Sequence, residues 1–341
     1  MKKKVSNMKD FKSYIEDRLS HTDLEETKNE KLDVIRTGSV SLDISTGIGG
    51  IPKKKTVEIY GSESSGKTTL ALSICNEAIK SGNKVLYIDA ENTLDLDWTY
   101  KIIKDHSEDK FILIQPHVME DSLFVAEEGI NSEEFGLIIL DSIGALAPQK
   151  VLDDKLTDAN VALLARMMTI FIQRNAYMIR KNNVAFVGIN QVRDRIGSYF
   201  GGFETPGGHA WKHNCSLRIF LSKMADIKQG EDIIGISTKF LIKKNKLAPP
   251  LRTYTFPILF DRGLDIIRDI VDFAEMMGVL TKGGSYYLFE GNTIGQGLSK
   301  TIQYLDENRG TIDKIKEMCY NKADVMNILI EEEKGLLEED E

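Results

Sequence analysis

Apolar residues recur along this chain in short runs separated by helical, more polar stretches. That alternation signals a mostly parallel sheet covered by helices. Runs at 56–60, 84–89, 111–115, 137–141, 184–190, 216–221 and 238–242 are strand candidates. Several are apolar almost without interruption, as strands buried on both faces are. A helix is expected after the first run, at 69–74. A longer one at 161–178 places Leu164, Met168, Phe171 and Ile172 on its apolar side. Near the start, Met8, Phe11, Ile15 and Leu19 share one helical face, and the polar stretch 21–33 behind them reads as a linker. Such a helix cannot bury its apolar side alone, so it docks on its own core or on a neighbouring subunit. From 264 onward the pattern becomes shorter and more helical: 266–277, a Gly283-Gly284 turn, a hairpin near 286–289, then helices near 300–307 and 311–333. The expected architecture is α/β, in four parts. An N-terminal helix and linker for oligomerisation occupies 1–32, and a core with a mostly parallel sheet 33–263. A small α+β C-terminal domain follows at 264–330, and an acidic tail at 331–341.

A chain of 341 residues can bury a full α/β core and still form a smaller second domain. Its formal net charge of −8 speaks at first against a nucleic-acid partner. The distribution changes that picture. Residues 331–341 hold seven carboxylates and one lysine, so −8 less −6 leaves −2 on the other 330, with basic clusters among them. The acidic end reads either as a solvated tail or as a competitor of DNA for a basic groove. No run reaches the roughly 18 apolar residues of a membrane span. The basic start, Met1-Lys2-Lys3-Lys4, has no apolar stretch of a secretory signal behind it. Cys75, Cys215 and Cys319 lie far apart without a CxxC pair. A cytoplasmic protein with reduced thiols and no membrane association is expected.

Gly61-Ser62-Glu63-Ser64-Ser65-Gly66-Lys67-Thr68 fits G-x-x-x-x-G-K-[ST] between a predicted strand and a predicted helix. Glycines at those places let backbone N–H groups close around phosphates at a helix N-terminus. Lys67 would reach the β- and γ-phosphates of a nucleoside triphosphate, and Thr68 would give a hydroxyl to Mg²⁺. The run 137–141 ends in Asp141, a carboxylate placed to hold that Mg²⁺ through water. The run 84–89 is followed by Glu91, a candidate for orienting the attacking water. From spacing alone a surface or helix-capping carboxylate is the better reading of Glu91. The run 184–190 ends in Asn190-Gln191, where Gln191 either bonds a γ-phosphate or is a polar strand end without a role.

These pieces, together with Val57-Glu58-Ile59-Tyr60, the loop extended to Thr69, Asp89-Ala90-Glu91, Ala165-Arg166-Met167-Met168, Lys244-Asn245-Lys246 and Ile294-Gly295-Gln296-Gly297, resemble bacterial RecA recombinases from about Thr37 to Tyr320. The resemblance implies a RecA-like P-loop ATPase core and an ATP- and Mg²⁺-dependent filament on single-stranded DNA that pairs with duplex DNA and exchanges strands. Glu91 matches the family's catalytic glutamate and Gln191 its γ-phosphate sensor. Lys244 and Lys246 match lysines that reach a neighbour's ATP. Trp98 falls where the family stacks an aromatic ring on adenine, with Asp95 nearby; by itself Trp98 reads as core. Two DNA-facing loops are implied. The first, 151–160, leads into the helix of Arg166 and Thr169. The second, 193–212, contains Arg193, Arg195, Ile196, Gly207, Gly208 and Lys212. Val161 and Ile196 match positions that wedge between base triplets. Arginines for phosphates and glycines for close backbone approach suit a single strand. The second loop is one residue shorter than usual, and His213 stands where an aromatic is common. The resemblance also raises a LexA-like repressor as a partner, in the setting of DNA repair and the SOS response. The alternatives are a ring-forming helicase or motor on the same fold and a regulatory paralogue.

Overall fold

The computed structural model describes residues 32–153, 163–194 and 203–338. The chain divides into a short unit, Met1–Leu32, and a compact unit, Asp33–Glu341, whose fold follows. The expected N-terminal helix, nearly all of its linker, most of the first DNA-facing loop, and Val161, Arg195 and Ile196 lie outside the described residues.

Nine strands form the central sheet: β1 (Lys55–Gly61), β2 (Lys84–Asp89), β3 (Phe111–Ile114), β4 (Phe135–Asp141), β5 (Ala185–Gln191), β6 (Leu217–Gln229), β7 (Asp232–Asn245), β8 (Thr253–Leu259) and β9 (Gly263–Leu264). Their order is β9-β8-β7-β6-β1-β5-β4-β2-β3. Strands β6 to β3 in that order are mutually parallel, and β7, β8 and β9 extend the sheet antiparallel. Alternation along the central strands fills two cores. Val85, Tyr87, Leu137, Ile139 and Val187 meet Leu70 and Ile74 of the helix Lys67–Lys80 on one face. On the other, Leu86, Ile88, Ile138, Leu140 and Phe186 meet the helices Met119–Asn131 and Leu163–Lys181. Burial on both sides explains the near-continuous apolar runs. Because the strands are parallel, four neighbouring ones deliver Gly61, Gln191, Asp141 and Asp89 to one edge. The register pairs Gly61 with Gln191 and Asp89 with Asp141. Ligands of open α/β sheets bind at that edge.

The second DNA-facing loop departs from expectation. Instead of twenty irregular residues, Arg193–Asp194 pairs antiparallel with Phe203–Glu204, and a helix Gly208–Asn214 begins inside it. The cause is Trp211, fully buried and edge-on to Phe186 at 6.2 Å. A Cβ on Gly188 of β5 would lie 2.4 Å from Trp211 Cζ2, so only glycine lets the indole seat there. The last helix runs Arg309–Glu338, so the backbone is helical through most of the segment read as a solvated tail. Its glutamates, leucines and lysine are all strong helix formers.

A three-stranded sheet and the helices Ile266–Met276 and Gly297–Glu307 build the C-terminal module, whose core joins Val40 and Ile44 of the main body. Two buried aspartates stitch this seam. Asp269 accepts from the Ser39 and Ser41 hydroxyls at 3.0 and 2.5 Å, and Asp43 accepts from the Thr37 amide at 2.8 Å and the Tyr320 hydroxyl at 3.2 Å. Burial pushes Asp43 up to about 7 and Asp269 up to about 6. An unfolded aspartate titrates near 4, so between about pH 4 and 7 the folded chain holds the extra proton. Stability therefore falls as pH rises through that window, by at most about 1.4 kcal/mol per pH unit per group. Asp43→Asn should remove its share. The wild-type minus variant difference in urea stability is expected to decline from about pH 4 to about pH 7, whereas a flat difference would place the burial cost elsewhere. All three cysteines are buried and unpaired.

Candidate functional site

The turn from β1 into the helix Lys67–Lys80 builds the phosphate loop. Ser64 and Gly66 both take positive φ, 54° and 86°, the conformation that turns successive amides into a common concavity. Gly66 has a second reason to be glycine, since a Cβ there would meet Ile258 Cδ1 at 2.2 Å. No side chain caps this helix, so its first amides remain for an anion. Ser62, Glu63 and Ser64 are exposed, while Ser65 is buried, its hydroxyl donating to the Ser62 carbonyl at 2.8 Å. Lys67 donates to the same carbonyl at 2.6 Å. Burial holds the Lys67 ammonium below its ordinary value, opposed by Asp141, Glu91 and Glu63. Thr69 is half-buried one residue into the helix after Thr68.

Three strand ends converge beside this loop. Asp141 Oδ2 accepts from Thr68 Oγ1 at 3.1 Å and from the Tyr87 hydroxyl at 2.5 Å. Burial raises Asp141 to about 6, with Glu91 and Asp89 adding to the rise. Thr68 and Asp141 are hard oxygen donors within reach of one another, which suits Mg²⁺ held by a hydroxyl, phosphate oxygens and a carboxylate through water. No group of three or more His, Cys, Asp or Glu able to hold a metal occurs among the described residues. Glu91 Oε1 accepts from Ser142 Oγ at 2.6 Å and from Gln191 Nε2 at 2.9 Å. The capping role that spacing allowed for Glu91 does not occur. The carboxylate that caps a helix here is Asp95, which accepts from the Trp98 amide at 2.7 Å. Trp98 is half-buried and packs against the core.

Lys244 and Lys246 stand apart from this cluster. Lys244 Nζ donates to the Lys212 and His213 carbonyls at 2.7 and 3.0 Å, and Lys246 Nζ to that of His213 at 2.9 Å. They cap the C-terminus of the helix Gly208–Asn214 and do not approach their own chain's phosphate loop. In the segment expected to face DNA, Arg193 donates to the Gly144 carbonyl at 3.3 Å and Lys212 pairs with Glu204 at 2.9 Å. Gly207 caps the helix at φ 94°, and Gly208 packs against Ala165 of the helix that exposes Arg166. The Thr169 hydroxyl is spent on the Ala165 carbonyl at 2.7 Å. Sequence reasoning missed Tyr87, Ser142, Glu58 and Arg218. Only Glu58 left a trace, as a carboxylate inside an apolar strand run.

Comparison with known proteins matches the RecA N-terminal domain to residues 10–265 and the RecA C-terminal domain to residues 268–324. The Protein RecA of Syntrophus aciditrophicus is 39% identical over 305 residues, 89% of this chain and 88% of its own. Those of Aquifex aeolicus (37% over 313 residues, 92% and 90%) and Thermus aquaticus (38% over 307 residues, 89% and 90%) are similar. A crystal structure of the RadB recombinase shares the fold, with TM-score 0.52 at 23% identity over 68% of this chain and 98% of its own. A match that includes the C-terminal domain sets aside the ring-forming motor. With both domains matched along nearly its whole length, and with the loop, carboxylates and glutamine assembled at one sheet edge, the chain belongs to the bacterial RecA recombinase family.

Proposed function

We propose that this RecA-family protein hydrolyses ATP in response to single-stranded DNA, as a filament that pairs homologous strands. The observation that supports this best is the shared Oε1 of Glu91, bonded at once to Gln191 and Ser142 beside the phosphate loop. Phosphoryl transfer asks mainly for positioning and charge stabilisation. Loop amides and Lys67 would hold the β- and γ-phosphates. Thr68 and Asp141 would hold Mg²⁺, which neutralises charge on those oxygens. Glu91 would orient water for in-line attack on the γ-phosphorus and take its proton. Gln191 would exchange Glu91 for a γ-phosphate oxygen, so that occupancy is felt at the end of β5. Trp98 would lie against the adenine, and Lys244 and Lys246 would serve the next protomer's nucleotide.

DNA would follow the segment 193–212 and the exposed Arg166. Phosphate release measured with and without single-stranded DNA tests the whole reading; turnover indifferent to DNA would refute it. Arg193→Ala should weaken single-strand binding and flatten the log–log salt dependence by about 0.7 per lost phosphate contact. An unchanged slope would move the DNA path off this segment.

A further inference from the structure

Behind the nucleotide-facing edge lies a polar group that hydrolysis itself does not use. Glu58 sits in the middle of β1 and is fully buried, as is Asn190 at the end of β5. Asn190 Nδ2 donates both to Glu58 Oε1 at 2.9 Å and to the Pro206 carbonyl at 2.9 Å. Its Oδ1 accepts from the backbone N–H of Gln191 at 3.2 Å. The other Glu58 oxygen accepts from Arg218 Nε at 2.5 Å. Arg218 in turn reaches Thr205 Oγ1 at 3.3 Å through Nη2, and its guanidinium lies over the Tyr60 ring at 4.6 Å. Thr205 and Pro206 are where the DNA-facing excursion that leaves β5 at Arg193 returns to the core. One buried unit therefore grips the residue before Gln191 and the far root of that excursion.

Buried polar groups are costly to leave unpaired, so these bonds move together or not at all. A shift of Gln191 between Glu91 and a phosphate would act on this unit through the Gln191 backbone N–H held by Asn190. We propose that Glu58, Asn190 and Arg218 form a positioning unit that transmits nucleotide occupancy at Glu91 and Gln191 to the segment 193–206 through Thr205 and Pro206. This assignment rests on the nucleotide and DNA sites proposed above. It makes the unit the physical link by which triphosphate tightens DNA binding and, by reciprocity, DNA tightens triphosphate binding.

The test is the ratio of single-stranded DNA dissociation constants without and with a slowly hydrolysed ATP analogue, for the full chain. Couplings of this kind are typically about 5–150-fold. Asn190→Ala removes the bonds to both Glu58 and Pro206 and is expected to bring the ratio to within about twofold of one. Thr205→Val deletes only the Arg218 contact at the loop root. It should lower the ratio part-way while the thermal midpoint and the analogue affinity measured without DNA stay unchanged, and it remains informative where Asn190→Ala fails to fold. A merely structural role would lower both affinities in parallel and preserve the ratio. That outcome, or an unchanged ratio in both variants, overturns the proposal. A wild-type ratio of one is a different result: it refutes the underlying nucleotide and DNA reading, and the proposal falls with it.

Discussion

Glu91→Gln is expected to bind ATP and assemble on DNA while releasing phosphate about 10²–10⁴-fold more slowly than the wild type. The side chain keeps its shape, and its amide oxygen still accepts from Ser142 and Gln191, whose bonds to Glu91 Oε1 measure 2.6 and 2.9 Å. What disappears is the carboxylate that takes a proton from water. Binding depends on the loop amides, Lys67 and Thr68, none of which Glu91 positions, so affinity for a fluorescent ATP analogue should change little. Phosphate release under saturating DNA is the deciding measurement. Near-normal turnover would move water activation to another group.

Replacing both Lys244 and Lys246 by Ala should be at least as damaging, since cations supplied in trans to a transferring phosphoryl group are worth about 10³–10⁵ in rate. In the chain itself both ammonium groups rest on carbonyls at the end of the helix Gly208–Asn214. Burial first, then the neighbouring Lys246 charge, holds Lys244 below its ordinary value. If these lysines serve the adjacent protomer, two inactive proteins complement each other. Glu91→Gln brings good lysines, and the lysine variant brings a good Glu91. In an equal, random copolymer about one head-to-tail interface in four combines both intact halves, and about a quarter of wild-type turnover returns. No recovery on mixing would confine the lysines to their own chain.

Much of this site was legible because its chemistry sits at the ends of buried parallel strands, where a polar residue after an apolar run is conspicuous. Asp141 announces itself in that way, whereas spacing alone favoured a surface or capping carboxylate at Glu91 and left Gln191 open, so that family likeness supplied the roles expected of both. Tyr87 and Trp211 did not, because an aromatic within a hydrophobic stretch carries no mark of what its polar atom or its shape will do. The helix Gly208–Asn214 was hidden for a related reason. Its start, Thr205-Pro206-Gly207-Gly208, is turn chemistry, and only the cavity opened by Gly188 shows why the chain then coils inward. The strand β8 was missed because Pro257 interrupts its run, although there it pairs with Ser237 in the antiparallel part of the sheet, beyond the stacked parallel strands. Outer residues of β6 and β7, exposed at Met224 and Ile233, lack the burial that makes a strand periodic. The roles expected of Trp98, Lys244 and Lys246 rest on family likeness alone, since a contact with a neighbour would leave no periodicity in one chain.

The seclusion of Cys75, Cys215 and Cys319 has a practical outcome. Their thiols are all pushed upward by burial, Cys319 to about 12, so little thiolate forms at neutral pH. A dye-bearing maleimide would therefore ignore the native chain and mark only a cysteine introduced on the surface. Attached near the tip of the β6–β7 hairpin, such a label would report polymer growth in real time without first stripping the protein of its own sulfur.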